Sequence, residues 1–178
     1  MAQEREDGVP ENPGGDLCQY LLTNPAAIRR LVDAAGIGPR DRVLEAGGGQ
    51  GHITAEIVSR GSRSVDTVEL DPKLADALER RFATTSTVTV TCGDGFAAIK
   101  RARANVLVSS LPIALCDRTL GLALASPAIE RCVLVANRTA GQLDLPAGWE
   151  AWDVEDVSGD DFTPFQPMVS HVVALRCR

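Results

Sequence analysis

Histidine is almost missing from this chain, and aromatic side chains are scarce. Two histidines and five cysteines in 178 residues, with no Cys-x-x-Cys and no histidine beside a cysteine, leave no ligand set with metal-site spacing. No metal is therefore expected. The cysteines are odd in number and widely separated (Cys18, Cys92, Cys116, Cys132, Cys177), and three sit in or beside apolar runs. They read as single structural thiols rather than a disulfide frame. No apolar stretch approaches the ~18 residues of a membrane-spanning helix, so no membrane association is expected. Basic excess is lacking as well: 18 Lys and Arg stand against 24 Asp and Glu, for a net charge of −6. A protein that grips a long phosphate backbone usually has the opposite balance, so any nucleic-acid surface must be local. Arg29-Arg30, Arg80-Arg81 and Lys100-Arg101 with Arg103 are either such patches or solvated helix faces.

The amino terminus lacks an apolar signal core. Met1 to Gly15 is rich in Glu, Asp, Gly and Pro, which reads as a disordered lead (1–15) into a cytoplasmic protein whose folded domain covers 16–178. Val, Leu, Ile and Ala are plentiful, which suits a parallel sheet covered by helices, and the length suits one domain.

What is present centres on Val43-Leu44-Glu45-Ala46-Gly47-Gly48-Gly49-Gln50-Gly51. A short apolar run leads to an acid and then to glycines at alternate positions, and an amphipathic stretch, His52 to Arg60, follows at once. This is the order of a strand, a tight turn and a helix N-terminus. Glycines let the chain turn sharply and let a ligand lie against bare backbone, while the unpaired amides of the helix start favour an anionic group. The next strand, Val65 to Asp71, carries Glu69 at its carboxyl end. An acid about 20 residues past a glycine turn is placed to hydrogen-bond a ribose diol. A plain tight turn would show the same glycines; Glu69 and the flanking strands favour a nucleotide-type cofactor. The order acid-x-Gly-x-Gly-x-Gly departs from the dinucleotide pattern Gly-x-Gly-x-x-Gly and leaves no clear pyrophosphate seat. That favours S-adenosylmethionine (SAM) over NAD.

Asn24-Pro25 and Asp71-Pro72 both read as a capping side chain followed by proline in the first helical turn. The first opens a helix with Ile28, Leu31, Val32 and Ala35 on one face, ended by Gly36; the second opens a helix running to about Phe82. Thr87 to Cys92 alternates as a strand and ends at Gly93-Asp94-Gly95. Asp94 is either a turn residue or, just past a strand end, a ligand contact. A short helix from Phe96 to Arg101, a strand from Asn105 to Val108, a helix from Leu115 to Ala125 and a strand from Arg131 to Ala136 follow. Asn137 to Gly148 has room for a very short helix or none. Trp149 to Val157 and Val169 to Cys177 alternate as a terminal antiparallel pair, joined through a proline-bearing loop, Asp160 to Pro167. The expected fold is α/β and Rossmann-like: a mostly parallel sheet with one antiparallel strand, in a single domain.

From about Cys18 to Leu175 the chain resembles the ribosomal RNA adenine N6-methyltransferases, which include ribosome-maturation dimethylases and macrolide-resistance methylases. Gln19-Tyr20-Leu21-Leu22 with Asn24-Pro25 stands where that family has its Gln-Asn/His-Phe-Leu entry segment. Glu45 to Gly51 matches its SAM glycine loop, Glu69-Leu70-Asp71 its Glu-x-Asp ribose motif, and Gly93-Asp94 its adenine-contacting acid. Phe162-x-Pro164-x-x-Pro167-x-Val169 with Val172-Val173 is similar to its Phe-x-Pro-x-Pro-x-Val signature. The resemblance implies SAM as cofactor, with Gln19, Glu45, Gly47, Gly49 and Gly51 at the methionine end, Glu69 on ribose and Asp94 on adenine. Leu70 and Ser109 complete the implied cofactor-binding set.

The catalytic motif departs from the family's Asn-Leu/Ile-Pro-Tyr/Phe: Ser110, Leu111, Pro112 and Ile113 occupy it here. An exocyclic purine amine is a poor nucleophile, so acceptors from the Asn side chain and the backbone hold its hydrogens while an aromatic ring stacks on the flipped base. Serine reaches less far and Ile113 has no π-face; stacking of this kind contributes ~1–3 kcal/mol per base. Phe162 and Phe165 are the nearest other aromatics. Asn137 to Gly148 is shorter than the family's helix-containing stretch, and with the chain ending at Arg178 the family's helical carboxyl-terminal domain is not expected. Two functions stand side by side. One is a SAM-dependent methyltransferase with a diverged acceptor site, acting on rRNA or a smaller acceptor, with Ser110 and the carbonyls around Leu111-Pro112 orienting the nucleophile. The other is a SAM-fold protein that has lost the reaction and serves as a binding or regulatory protein, or as a subunit of a hetero-oligomeric enzyme with a protein partner.

Overall fold

Neighbouring residues on the central strands point to opposite faces of one sheet, and both faces are apolar. Val43, Val106, Val135 and Val172 join one buried cluster, while Leu44, Leu107, Leu134 and Val173, their immediate neighbours, join another. Strands buried on both faces are what a parallel sheet covered by two helical layers requires. The computed structural model describes residues 19–178. Cys18 and the lead over 1–15 lie outside the described residues.

In chain order the elements are β1 (Leu21–Leu22), α1 (Pro25–Ala34), β2 (Arg42–Ala46), α2 (His52–Ser59), β3 (Ser64–Glu69), α3 (Pro72–Phe82), β4 (Val88–Cys92), α4 (Gly95–Lys100), β5 (Val106–Ser109), α5 (Cys116–Ala125), β6 (Arg131–Ala136), β7 (Trp149–Val157), β8 (Phe162–Thr163) and β9 (Ser170–Cys177). The large sheet has the order β4-β3-β2-β5-β6-β9-β7, and β9 alone runs against its neighbours. The fold is thus the expected mostly parallel, Rossmann-like α/β sheet with one reversed strand. Ile28, Leu31 and Val32 of α1 and Ile53 and Ile57 of α2 cover one face. Ile99 of α4 and Leu120 and Ala123 of α5 cover the other.

The two Asx-Pro signals work as read. The Asn24 side chain accepts from Ala26 N–H at 2.8 Å and Asp71 accepts from Lys73 N–H at 2.8 Å, each with proline at the helix start. Between β6 and β7 a single 3₁₀ turn, Ala140–Gln142, replaces a crossover helix. All four described cysteines are free: Cys116 and Cys132 are buried and behave as small apolar side chains, burial pushing both thiols up, whereas Cys92 and Cys177 are exposed. Among the described residues no helix is long and apolar enough to cross a membrane, and no three His, Cys, Asp or Glu side chains converge as a metal site.

One pairing has no counterpart in the sequence reading. β1 of the entry segment pairs antiparallel with β8 of the proline-bearing loop, Leu21 opposite Thr163 and Leu22 opposite Phe162. Thr23 and Asn24 add backbone bonds to the Asp161 carbonyl at 2.8 and 3.1 Å. Two segments about 140 positions apart in sequence are therefore one structural unit. Phe162 is spent in this packing: it is buried in the core. Phe165 is 57% exposed.

At the amino ends of the parallel strands a buried acid organises the opposite rim. Asp41 accepts from Gly38 N–H at 2.7 Å and from the Asn105 amide at 2.8 Å, and pairs with Arg131, whose guanidinium also donates to the Ala35 and Gly36 carbonyls ending α1. Burial pushes the Asp41 carboxyl up, but the Asn105 and Gly38 hydrogen bonds and the Arg131 charge outweigh it and hold the group below its ordinary value. A depressed carboxyl contributes stability that is present above its unfolded value and lost as pH falls through the folded one. Asp41→Ala takes the buried carboxylate away from Arg131, the Asn105 amide and Gly38 N–H and should cost about 2–4 kcal/mol in urea unfolding. Cofactor affinity should not change, since the cluster lies at the opposite end of the sheet from the cleft described next.

Candidate functional site

The strand order reverses at β2: the chain leaves it first for β3 on one side and later for β5 on the other. In open α/β sheets the crevice at the carboxyl ends of such strands takes the ligand. A cleft of ≈ 330 Å³ lies there. Its walls come from Gly47 and Gly49 after β2, Val68, Glu69 and Leu70 at the end of β3, Asp94, Gly95 and Phe96 after β4, and Ser110 to Pro112 with Ala114 and Leu115 after β5. Gln19, Tyr20 and Leu21 close it from the entry segment.

The glycine loop is fastened to β3. Gly47 and Gly48 both donate to the Val68 carbonyl, at 2.9 and 3.2 Å. Gly47 has φ +87°, and a Cβ there would stand 2.9 Å from Leu111 Cδ2, so only glycine lets the acceptor-side segment lie against the loop. Glu69, 6% exposed, accepts from Gly49 N–H at 2.8 Å through Oε2 and from Asp71 N–H at 2.9 Å through Oε1. Each carboxylate oxygen has a second acceptor position, so the pair remains suited to the two hydroxyls of a ribose. Asp94 caps α4 by accepting from Phe96 N–H at 2.8 Å through Oδ1, and its side chain stays exposed on the cleft. Bare loop backbone, a diol acceptor and a second acid on the next strand end fit a nucleoside-bearing cofactor.

Glu45 lies behind this surface. It is 1% exposed, and its Oε2 accepts from the Thr54 hydroxyl at 2.5 Å, while Oε1 has no hydrogen-bonding partner. Burial raises its carboxyl to about 7; the Thr54 hydroxyl pulls it back and the Glu69 charge adds to the rise.

On the acceptor side, Ser109 is buried and donates to the Ala46 carbonyl at 3.1 Å, tying β5 to β2. Ser110 lines the cleft, and its hydroxyl makes no hydrogen bond among the described residues. The Pro112 carbonyl accepts from Leu115 N–H at 2.8 Å in the turn Ile113–Leu115. Pro112 and Ala114 line the cleft, and Ile113 between them does not.

The sequence profile of the family described as ribosomal RNA adenine dimethylase matches residues 15–105, half of the chain. The chain belongs to that family. It is 33% identical over 194 residues to the rRNA adenine N-6-methyltransferase of Aeromicrobium erythreum, a match spanning 96% of this chain and 57% of that protein. The chain thus spans about half the length of the curated relatives it matches. Among solved structures, the 23S rRNA methyltransferase ErmE superposes with a TM-score of 0.78 at 26% identity, covering 89% of this chain and 70% of that one. A dimethyladenosine transferase from Plasmodium falciparum shares the fold, with a TM-score of 0.77 at 21% identity over 89% of this chain and 63% of that one.

Set against this family, the residues singled out by sequence divide into two layers. Gln19, Gly47, Gly49, Glu69, Leu70, Asp94, Ser110, Leu111 and Pro112 meet on the cleft. Glu45, Gly51, Ser109 and Ile113 do not line it. Gly51 starts α2 with φ +80°, and a Cβ there would press on Leu78 and Phe82 of α3, so its glycine serves packing. Val68, Gly95, Phe96, Ala114 and Leu115 are wall residues to which sequence assigned no role, and Tyr20 and Leu21 of the entry segment join them. Phe96 had a legible signal, an aromatic two positions past Asp94 at a strand end.

The buried acid yields a pH prediction. A carboxyl raised from 4.5 in the unfolded chain to about 7 in the fold contributes stability that is fully present below 4.5 and is lost as pH rises through 7. The loss is on the order of 3 kcal/mol. Glu45→Gln keeps an acceptor for Thr54 but cannot ionise. Urea unfolding at pH 5 and pH 8 should show a large difference for the wild type and little for the variant, with the variant more stable at pH 8. An equal pH response in both would remove Glu45 as the titrating group.

Proposed function

We propose that this protein is a SAM-dependent methyltransferase acting on an adenine of ribosomal RNA in the cytoplasm, with a cofactor half of the family type and an acceptor half that has diverged. The observation that carries the reading is the convergence on one cleft of the Glu69-tied glycine loop, Asp94 and the Ser110-Leu111-Pro112 segment. When bound, SAM supplies an electrophilic methyl group on a sulfonium. Glu69 would hold the ribose hydroxyls, Asp94 and Leu70 the adenine end, and Gln19, Gly47 and Gly49 the methionine end, with Glu45, Gly51 and Ser109 fixing the loop and β5 behind them. The protein's remaining task is alignment and exclusion of water around the nucleophile.

Ser110 and the Leu111 carbonyl would receive the hydrogens of the target amine. Ser110 stands where the family has Asn and reaches less far, and Ile113 brings no ring to the motif, so both family aids to a weak nucleophile are reduced. Slow transfer to adenine follows. The same two observations favour the second reading, in which the protein binds SAM and acts as a regulatory chain or as one subunit with a catalytic partner. A smaller amine acceptor would also fit a motif without its aromatic ring.

Removing the Glu69 carboxylate deletes charge-assisted acceptors worth ~1.5–3 kcal/mol each. Glu69→Ala should lower SAM affinity at least about tenfold by calorimetry while far-UV circular dichroism stays native. Unchanged affinity would overturn the ribose assignment.

For the acceptor half, single-turnover methylation of an rRNA fragment separates the readings. Slow transfer by the wild type, accelerated in Ser110→Asn, supports a diverged adenine methyltransferase. Robust wild-type dimethylation would show that serine suffices. SAM binding with no transfer in either protein would favour the regulatory chain.

A further inference from the structure

The cleft's charged lining, Glu69 and Asp94, is acidic, yet one cation is fixed at its rim. Arg118 lies in the first turn of α5, three and four positions past the wall residues Leu115 and Ala114. Its guanidinium carbon stands 3.9 Å from the centroid of the Phe96 ring, and Phe96 is itself a wall residue, 9% exposed. The neighbouring acid is taken: Asp117 pairs with Arg138 at 2.6 Å. Among the described residues Arg118 has no ion-pair partner, and it is exposed.

A guanidinium stacked on a ring loses rotamer freedom and keeps its N–H edge turned away from the ring. Held so, it presents a planar fork that matches the oxygens of a phosphate. An unattached arginine on a solvated helix face would have no such fixed plane. The place also matters. Arg118 joins the wall that carries Phe96 to the wall that carries Ser110, where an acceptor strand must pass if one of its bases enters the cleft. In a chain of net charge −6, binding of an RNA strand needs local cations of this kind.

We infer that Arg118, stacked on Phe96, is a phosphate-binding residue for the acceptor RNA next to the target nucleotide. The inference rests on the RNA reading proposed above. SAM has no phosphate, so this contact is not part of cofactor binding.

The test is the salt dependence of RNA binding, measured by fluorescence anisotropy with a short labelled hairpin carrying an unpaired adenine, between 50 and 200 mM salt. The proteins are the wild type, Arg118→Gln, Arg118→Lys and Arg63→Gln. Arg63 is exposed in the α2–β3 connection at the amino ends of the strands, away from the cleft, and controls for loss of one charge. Arg118→Gln should bind more weakly, with a log–log salt slope smaller by about 0.7 to 0.9, the share of one phosphate contact. Arg118→Lys should keep the slope, and Arg63→Gln should match the wild type. SAM affinity by calorimetry should be the same in all four.

If Arg118→Gln and Arg63→Gln behave alike, or if Arg118→Gln loses SAM affinity, the assignment fails. Wild-type binding with no change in Arg118→Gln removes the phosphate contact and leaves the RNA reading standing. Absence of wild-type RNA binding at every salt concentration removes both.

Discussion

Glu69 joins three strand ends through its carboxylate and its backbone carbonyl, and the shape of the cleft depends on it. One oxygen holds the glycine loop after β2 through Gly49 N–H, the other holds the turn into α3 through Asp71 N–H, and its backbone carbonyl receives Gly93 N–H at the end of β4. A buried carboxylate needs several donors to offset its desolvation, and backbone amides at strand ends need acceptors. Each requirement satisfies the other. The loop therefore cannot relax independently of β3, and the acceptor positions left over on the same two oxygens are those a diol would use. Folding of the loop and the proposed recognition of a ribose draw on one group.

Glu45 shows the cost of placing a second acid beside it. The strand that delivers the glycine loop also buries Glu45 between α2 and β3, where one oxygen finds Thr54 and the other finds nothing. Desolvation and repulsion from Glu69 both oppose its charge. Ionisation is disfavoured at Glu45 because burial and an orphaned oxygen leave a charge there poorly stabilised.

Much of this was legible because it depends on short-range chemistry. The Asx-Pro caps, the alternating strands and the reversed β9 follow from side-chain hydrogen bonds and period-2 burial, which act within a few residues. Glu69 and Asp94 were legible as acids just past strand ends. The union of β1 with β8 was not, since a two-residue strand has almost no periodicity and its partner lies about 140 positions away. The different depths of Glu45 and Glu69 also escaped, because both end short apolar runs and only the sheet register sends one behind the loop. Ile113 likewise turns from the wall through a 3₁₀ turn whose defining bond, Leu115 to Pro112, the motif does not announce.

The two halves of the cleft differ in how they are held, and the proposed divergence falls on the half whose side chains the frame does not use. On the cofactor side, the loop, β3 and the α4 cap are cross-tied by backbone donors to buried or capping carboxylates, so most substitutions there would strand a polar group or strain a positive-φ residue. On the acceptor side, the fold-bearing contacts belong to Ser109, which ties β5 to β2, and to Leu111, which lies on Gly47. The side chains of Ser110 and Ile113 contribute no hydrogen bond to the frame among the described residues. Substitution at those two positions therefore changes what the cleft can do to an amine while leaving the sheet, the loop and the diol acceptor in place. On the proposed reading, Ser110 and Ile113 stand in for the family's Asn and aromatic ring without loss of the fold that carries them.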